Sequence, residues 1–173
     1  MVKVTDKHVF FWKGIFSNWQ PCIFNAEYEG ETYRFFNTEQ YFMFVKAKTF
    51  GDEETAERIL KEGENPKIAK ALGRQVKNYD DNVWNEKRYQ VMVDANLYKY
   101  NTSMVYRKEL LNAKYEGKGF VEASQFDRLW GIGICKEDAS DDESTWKGQN
   151  LLGKVLNEVR ERILKEKSDG GIN

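Results

Sequence analysis

Hydrophobic residues recur along this chain with two different periods. Aromatic and β-branched residues dominate 8–12 and 22–36, and Glu29-Gly30 interrupts the second stretch in the way that a hairpin turn does. After Thr38, a residue type that favours helix starts, the chain continues into the apolar run 41–45. The pattern therefore predicts a short β region with a hairpin, followed by a buried helix that begins at Thr38.

The rest of the chain shows helical periodicity with recognisable ends. Helices are predicted over Asp52–Glu62 and Asn65–Leu72, each closed by a glycine, and over about 81–100, 104–112 and 150–166. Apolar residues at helical spacing predict two buried stripes. They are Trp84, Val91, Ala95 and Tyr98 in the long helix, and Leu152, Val155, Leu156, Val159 and Ile163 in the last one. We expect an α+β, predominantly helical fold, formed as one compact domain over 1–167 with a small N-terminal β hairpin and a flexible tail at 168–173.

Composition excludes several classes of protein. The formal net charge of -1 gives no general attraction to nucleic acid or membranes, and the sequence shows neither a signal peptide nor an apolar membrane span, so a cytoplasmic location is expected. His8 is the only histidine, and we expect it to be partly exposed and without a role. Cys22 and Cys135 fit no zinc pattern and are expected to be reduced, small buried side chains. No metal and no cofactor are therefore predicted.

The least regular part of the chain is 121–133, followed by an acidic stretch at 137–143. Gly131 and Gly133 stand close to Trp130, and small residues beside a large ring allow a flat ligand to approach the backbone. A tight turn over the core is the alternative. The acidic stretch is expected to form a solvated loop or a movable rim.

Five short blocks follow one another along the chain: Phe16–Trp19, Thr38–Tyr41, Ala69–Arg74, Glu122 with Asp127–Gly133, and Gly148–Gly153. They resemble, in order, the signature blocks of the NADAR (YbiA-like) family, over roughly residues 10–165. The chain departs from the commonest family pattern at Trp19 and at Gln40. The resemblance implies a compact, mainly helical α+β domain. It also implies an N-glycosidase acting on phosphorylated riboflavin-pathway intermediates, or a hydrolase that removes ADP-ribose from guanine. Both activities break a ribose C1–N bond.

Cleavage of an N-glycosidic bond passes through an oxocarbenium-like state that carboxylates can stabilise, or whose attacking water they can activate. Glu39, Asp127 and Glu122 are the candidate catalytic residues. Each has a structural alternative: Glu39 at a helix start can serve the helix dipole, Asp127 can cap a turn, and Glu122 can pair with an arginine.

The substrate would also need a surface for its base and donors for its phosphate and ribose. Trp130 and Trp19 are candidates for stacking, with Gly131 allowing close approach. Lys46, Arg74 and Lys87 are candidates for phosphate, as is the helix start near Asn150. Asn18 and Asn150 could hydrogen-bond ribose hydroxyls, although Asn150 could instead cap the last helix. The candidate binding residues are Asn18, Trp19, Lys46, Arg74, Lys87, Trp130, Gly131 and Asn150.

Two other functional classes remain open at this point. A non-catalytic ADP-ribose or nucleotide-binding module would bind in the same pocket without releasing a base. An interaction protein would use its tryptophan- and phenylalanine-rich surface to dock a partner, although the polar residues within the blocks favour a small-ligand pocket. The expected partner is a small phosphorylated ribosyl compound or ADP-ribosylated guanine, free or in nucleic acid, and no membrane.

Overall fold

The computed structural model describes residues 2–169, and these form two compact units. The central unit is Asn18–Met104, and the terminal unit combines the residues before it with those from Val105 onward. The terminal unit is formed by two separate segments of the chain, which come before and after the central unit. The predicted α+β, predominantly helical class is confirmed. In chain order, the elements are β1 (Lys3–Val4), β2 (His8–Phe11), β3 (Phe24–Tyr28), β4 (Glu31–Phe35), α1 (Thr38–Thr49), α2 (Glu53–Glu62), α3 (Pro66–Gly73), α4 (Asp81–Thr102), α5 (Met104–Leu110), β5 (Gly119–Glu122) and α6 (Leu151–Asp169).

In the central unit, the predicted hairpin is confirmed as the antiparallel pair β3–β4. Glu29 and Gly30 at its turn have φ angles of 51° and 85°, the left-handed conformation that a tight two-residue hairpin turn requires. Phe24 and Phe35 face each other across the pair and both contact the Tyr41 ring of α1. The hairpin thereby anchors its apolar face on α1.

Helix α1 is the centre of this unit, because nearly every residue from Thr38 to Val45 is buried. The predicted start of this helix at Thr38 is confirmed, and its N-cap is the preceding Asn37, whose side chain accepts a hydrogen bond from Gln40 N at 2.9 Å. Helix α3 lies so close to α1 that a Cβ on Gly73 would collide with the Met43 side chain. Gly73 is the last residue of α3, whereas the sequence predicted that the helix ends at Leu72.

The predicted buried stripe of α4 is only partly correct. Trp84 and Ala95 are buried, but Val91 and Tyr98 are half-buried. The buried face instead includes the polar residues Asn96 and Lys99, both with 0% exposure. A prediction from apolar positions alone misses a buried helix face that includes polar side chains.

The terminal unit contains a three-stranded sheet in the order β1–β2–β5, with β2 and β5 parallel. The segment that the sequence indicated as irregular begins with the end of strand β5. This strand is regular because it pairs with β2. Helix α6 packs on β5, and its five predicted stripe residues are all buried. Ser168 and Asp169 continue α6 instead of starting a tail, whereas the rest of the predicted tail, 170–173, lies outside the described residues. None of the described helices is long and apolar enough to cross a membrane.

The expectation for His8 was wrong, because His8 is buried at 7% exposure and has acidic neighbours. Its Nδ1 lies 2.8 Å from Asp141 Oδ1, and its Nε2 lies 3.3 Å from Glu143 Oε1. Thr5 Oγ1 donates to the same Asp141 oxygen at 2.6 Å, and Lys3 Nζ donates to the carbonyl of Ala139 at 2.7 Å. The acidic stretch is therefore fastened to the N-terminal strands by side-chain contacts rather than simply solvated.

These contacts predict an acid-sensitive attachment. The hydrogen bonds from Thr5 and His8 lower the pKa of Asp141 below its ordinary value of 3.8. A carboxyl with a lowered folded-state pKa stabilises the fold above its unfolded pKa and loses that contribution as the pH falls through the folded pKa. Asp141→Asn should therefore destabilise the protein at neutral pH, and the difference from wild type should shrink below about pH 4. Urea unfolding across pH measures this. The exposed Glu116→Gln should show no such pattern, and a constant Asp141→Asn difference at all pH values would contradict the assignment.

Candidate functional site

Polar groups of the central unit gather at the first turn of α1, where the sequence predicts Asn18 and Glu39. The Asn18 carbonyl accepts hydrogen bonds from Glu39 N at 3.2 Å and from Thr38 Oγ1 at 2.9 Å. Asn18, Thr38 and Glu39 are all at least nine-tenths buried. Glu39 also stands in the first turn of the helix, where the helix dipole favours a carboxylate. The structure thus brings two of the predicted residues together in one buried cluster.

Asn96 of α4 joins this cluster from the opposite side. Its Nδ2 donates to Asn18 Oδ1 at 3.3 Å and to Met92 O at 3.0 Å. Its Oδ1 is buried and has no hydrogen-bond partner among residues 2–169. A buried acceptor without a partner costs about 1–3 kcal/mol, and such groups are rare enough in folded proteins to indicate a functional role. A ligand hydroxyl or amine is a suitable donor for it.

Lys99, which the sequence reasoning missed, follows Asn96 by about one helical turn on α4. Its side chain is fully buried, and this burial lowers the pKa of Lys99 from its ordinary 10.5 to about 7. The nearby Cys22 acts on the Lys99 pKa in the opposite direction and raises it. The pKa of Cys22 is itself raised, because the effect of its burial outweighs the lowering effect of Lys99. A lysine with a pKa near 7 is partly uncharged at neutral pH and can act as a base or nucleophile. Its signal in the sequence was a charged residue at a buried position of the α4 face.

Lys46 and Arg74, the predicted phosphate contacts, share a second neighbourhood of the central unit. Lys46 Nζ donates to the carbonyl of Gly73 at 2.8 Å and lies 4.3 Å from the centre of the Tyr79 ring. Burial lowers the pKa of Lys46, the charge of Asp81 acts in the opposite direction, and the charge of Arg74 adds a smaller lowering effect. Arg74 itself is exposed at the C-cap of α3. Two cations held this close would attract an anion.

Trp19 and Lys87, the other candidates of the central unit, lie on its surface. Trp19 is 43% exposed, and Lys70 Nζ lies 6.0 Å from the centre of its ring. Lys87 is exposed on α4, at the edge of a cavity whose lining includes none of the other predicted site residues.

In the terminal unit, three predicted residues form one hydrogen-bonded junction. Asn150 Oδ1 accepts from Glu122 N at 3.0 Å, and Asn150 Nδ2 donates to Phe120 O at 3.1 Å. The Asn150 side chain is therefore bonded to β5 and does not cap α6. Asn150 N donates to Gly131 O at 3.2 Å. A Cβ on Gly131 would lie only 2.9 Å from the carbonyl oxygens of Asp127 and Glu122, so this turn has room for glycine alone.

Asp127 shapes the loop that carries Trp130. Its Oδ1 accepts hydrogen bonds from Leu129 N at 2.9 Å and Trp130 N at 2.7 Å. This is the turn-capping arrangement that was the structural alternative for Asp127. Trp130 is half-buried on this turn. Asp127 is thus placed to fix the position of the Trp130 backbone.

Gln40, where the chain departs from the family pattern, has a structural role. Its Oε1 accepts from Phe36 N at 2.9 Å, and its Nε2 donates to Ile59 O at 3.0 Å. The amide joins the end of the hairpin to α2 and satisfies buried backbone groups on both. Among the described residues, no group of three or more His, Cys, Asp or Glu side chains is arranged to hold a metal ion.

A buried carboxylate with two buried amides, and a buried lysine of lowered pKa on the same helix as one of the amides, mark this part of the central unit as a candidate functional site. The NADAR domain family model matches residues 10–164, and the chain belongs to this family. It is 36% identical to "N-glycosidase R617" of Acanthamoeba polyphaga mimivirus, over 91% of this chain and 96% of that protein. It is 37% identical to "Protein irg-1" of Caenorhabditis elegans, over 92% of this chain and 81% of that protein.

The fold is also similar to a solved structure. The NMR structure of the E. coli protein YbiA matches with a TM-score of 0.72 and 28% identity, over 95% of this chain and 89% of that one. The family predicted from the five sequence blocks is confirmed. The predicted class of enzyme, an N-glycosyl hydrolase, is confirmed through the relatives that carry that name.

Proposed function

We propose that this protein hydrolyses the ribose C1–N bond of a phosphorylated ribosyl or ADP-ribosyl compound. The observation that carries the proposal is the buried cluster of Glu39, Asn18 and Asn96 in the central unit, with the fully buried Lys99 one helical turn beyond Asn96 on α4. The cluster holds a carboxylate and an amide oxygen without a partner among residues 2–169, and the pKa of Lys99 is about 7. A carboxylate that stabilises an oxocarbenium-like state and a base that activates water are groups that glycosidic hydrolysis can use.

The chemistry assigns different work to the two ionisable groups. As the C1–N bond breaks, its electron pair leaves with the base, and positive charge develops at C1 and the ring oxygen. The Glu39 carboxylate stabilises that charge, whereas a protonated Lys99 would oppose it. The low pKa keeps much of Lys99 neutral, so that its amine can accept a proton from the attacking water while the hydroxyl adds to C1. The proton that Lys99 accepted passes to the departing base, directly or through water, which returns Lys99 to its neutral form. The sugar product is ribose phosphate from a phosphorylated ribosyl substrate and ADP-ribose from an ADP-ribosyl substrate.

Lys46 and Arg74 are the proposed phosphate contacts, because the Arg74 charge is close enough to Lys46 to lower its pKa. A bound phosphate would relieve this repulsion. Asn18 and Asn96 are proposed to hydrogen-bond the ribose, with the Asn96 Oδ1 accepting from a hydroxyl. In the terminal unit, Asp127 holds the Trp130 backbone and is proposed as a positioning residue, while stacking of a base on Trp130 stays a prediction from the sequence.

Two substrate classes fit this proposal: phosphorylated pyrimidine intermediates of riboflavin synthesis, and ADP-ribosylated guanine as a nucleotide or within DNA. Each would be incubated with the purified protein, with and without a chelator, and the released base and ribose phosphate followed by mass spectrometry. Base release that is unchanged by the chelator is expected from one class. Release that disappears with the chelator would contradict metal-independent hydrolysis.

The second candidate function is a non-catalytic ADP-ribose or nucleotide-binding module. It needs the cations and the stacking residue but has no use for a buried lysine of low pKa. The same incubations decide between the two, because saturable binding of ADP-ribose without base release from any substrate would favour the binding module.

A further inference from the structure

A cavity of about 680 Å³ lies in the central unit, away from the cluster around Glu39. The end of β3, α1 and α4 form its walls, and none of the proposed catalytic or ribose-binding residues lines it. Its volume is within the range of small-molecule sites, about 300–1,000 Å³. The proposed glycosidase chemistry makes no use of it, so its lining has to be explained separately.

Three tyrosines supply the aromatic part of the lining, and their rings are held in place by neighbours. Tyr98 stacks on Phe24, with ring centres 5.8 Å apart and planes 3° apart. The Tyr41 and Tyr98 rings are 5.7 Å apart, and Tyr28 packs edge-on against Phe44. Rings fixed in this way present preformed faces and hydroxyls to whatever enters the cavity.

The hydroxyl of Tyr41 is the least expected feature. Tyr41 is 5% exposed and lines the cavity, yet its hydroxyl makes no hydrogen bond to any of the described residues. Buried tyrosine hydroxyls usually find a partner. Burial raises the pKa of this phenol, and the nearby Asp94, Tyr98 and Tyr28 raise it further. The Tyr41 hydroxyl therefore stays uncharged and can accept a hydrogen bond from a donor that enters the cavity.

The charged residues of the lining favour a positively charged ligand. Four carboxylates, Glu27, Glu29, Glu86 and Asp94, face a single cation, Lys87. Lys48 lies 3.7 Å from Glu29 and 6.0 Å from the centre of the Tyr28 ring, so two cations stand against the four carboxylates and an excess of negative charge remains. Gln90 donates to Asp94 Oδ1 at 2.7 Å and leaves the charge of Asp94 unchanged. The field inside this cavity repels phosphate, which weakens the case for Lys87 as a phosphate contact.

We propose that this cavity binds an organic ammonium or guanidinium group, held over the faces of Tyr28 and Tyr98 and hydrogen-bonded by Asp94 and the Tyr41 hydroxyl. Aromatic faces attract such cations, and carboxylates form strong charge-assisted hydrogen bonds with them. The cation could be a small polyamine or the side chain of a basic peptide, because both present the same chemistry. The site is independent of the proposed glycosidase reaction and would stand if that reaction were disproved.

NMR titration of the 15N-labelled full chain tests the proposal with two probes, spermidine and a short arginine-rich peptide, added up to about 10 mM at constant ionic strength. Saturable shifts confined to residues around Tyr41, Asp94 and Tyr98 are expected from at least one probe. Asp94→Asn keeps the acceptor for Gln90 but removes the charge, and should weaken binding about tenfold, as should the exposed Glu86→Gln.

Glu64→Gln is the matched control, because it removes an exposed charge from the same unit without touching the cavity. It should leave the affinity unchanged. Saturation by spermidine alone identifies a small-molecule site, and saturation by the peptide alone identifies a peptide site. No saturation with either probe, shifts centred elsewhere, or equal weakening by Glu64→Gln would overturn the proposal.

Discussion

Lys99→Met should lower the rate of base release by about a hundredfold or more and at the same time raise the stability of the fold. The rate falls because the variant has no amine to accept the proton of the attacking water. The stability rises because a fully buried lysine whose pKa has fallen from 10.5 to about 7 costs free energy to protonate near neutral pH. Replacing such a buried group with an apolar side chain of similar length should stabilise by about 2 kcal/mol.

The sign of the Lys99 contribution can be tested by pH. Because the folded-state pKa lies below the unfolded one, the unfolded chain binds more protons between about pH 7 and 10.5, and stability due to this residue rises with pH across that window. Wild-type activity should correspondingly rise to a plateau above about pH 7, since the neutral amine is the active form. Urea unfolding and a pH–rate profile of kcat/KM measure the two effects.

Lys99→Arg is the matched variant, because arginine remains charged at all relevant pH values. It should be inactive like Lys99→Met, but destabilised rather than stabilised. If Lys99→Met turned over substrate at the wild-type rate, or if both variants lost stability equally, the assignment of a neutral catalytic lysine would be wrong.

Glu39→Gln should lower kcat by about 100- to 1,000-fold with a smaller change in KM. Glutamine has nearly the same shape, and the backbone bond from residue 39 to the Asn18 carbonyl does not depend on the side chain. The loss would therefore report the missing negative charge at the developing oxocarbenium ion. Single-turnover kinetics on the substrate found by base release measures it, and an unchanged unfolding midpoint shows that the fold is intact.

The Asp127 variants form the comparison for Glu39. Asp127→Asn keeps an oxygen that can accept from Leu129 N and Trp130 N, so a positioning role predicts only a modest loss of activity. Asp127→Ala removes that oxygen and should raise KM through a displaced Trp130. If Asp127→Asn were as damaging as Glu39→Gln, Asp127 would be catalytic. Unchanged turnover in both Glu39→Gln and Asp127→Asn would exclude the carboxylate mechanism.

The fold followed from the sequence wherever the signals were local. Turn residues gave the hairpin at Glu29-Gly30, glycines and asparagines gave the helix ends, and the apolar stripe of α6 was correct at every position. Strand β5 was missed because its pairing with β2 joins residues more than a hundred positions apart. His8 was misjudged for the same reason, since its partners Asp141 and Glu143 come from a distant loop.

The candidate site, too, has features that the sequence predicted and features that only the tertiary structure showed. The sequence by itself determined the family and made Glu39 and Asn18 candidates for the site, because these residues lie in short blocks whose order and spacing are visible without a structure. Only the tertiary structure decided which groups are buried together. It placed Lys99 inside the fold and lowered its pKa, left the Asn96 oxygen without a partner in the described part of the chain, and bound Asp127 into a turn. The physical reason is that burial and desolvation depend on packing between helices, which a one-dimensional pattern of hydrophobic and polar residues does not specify.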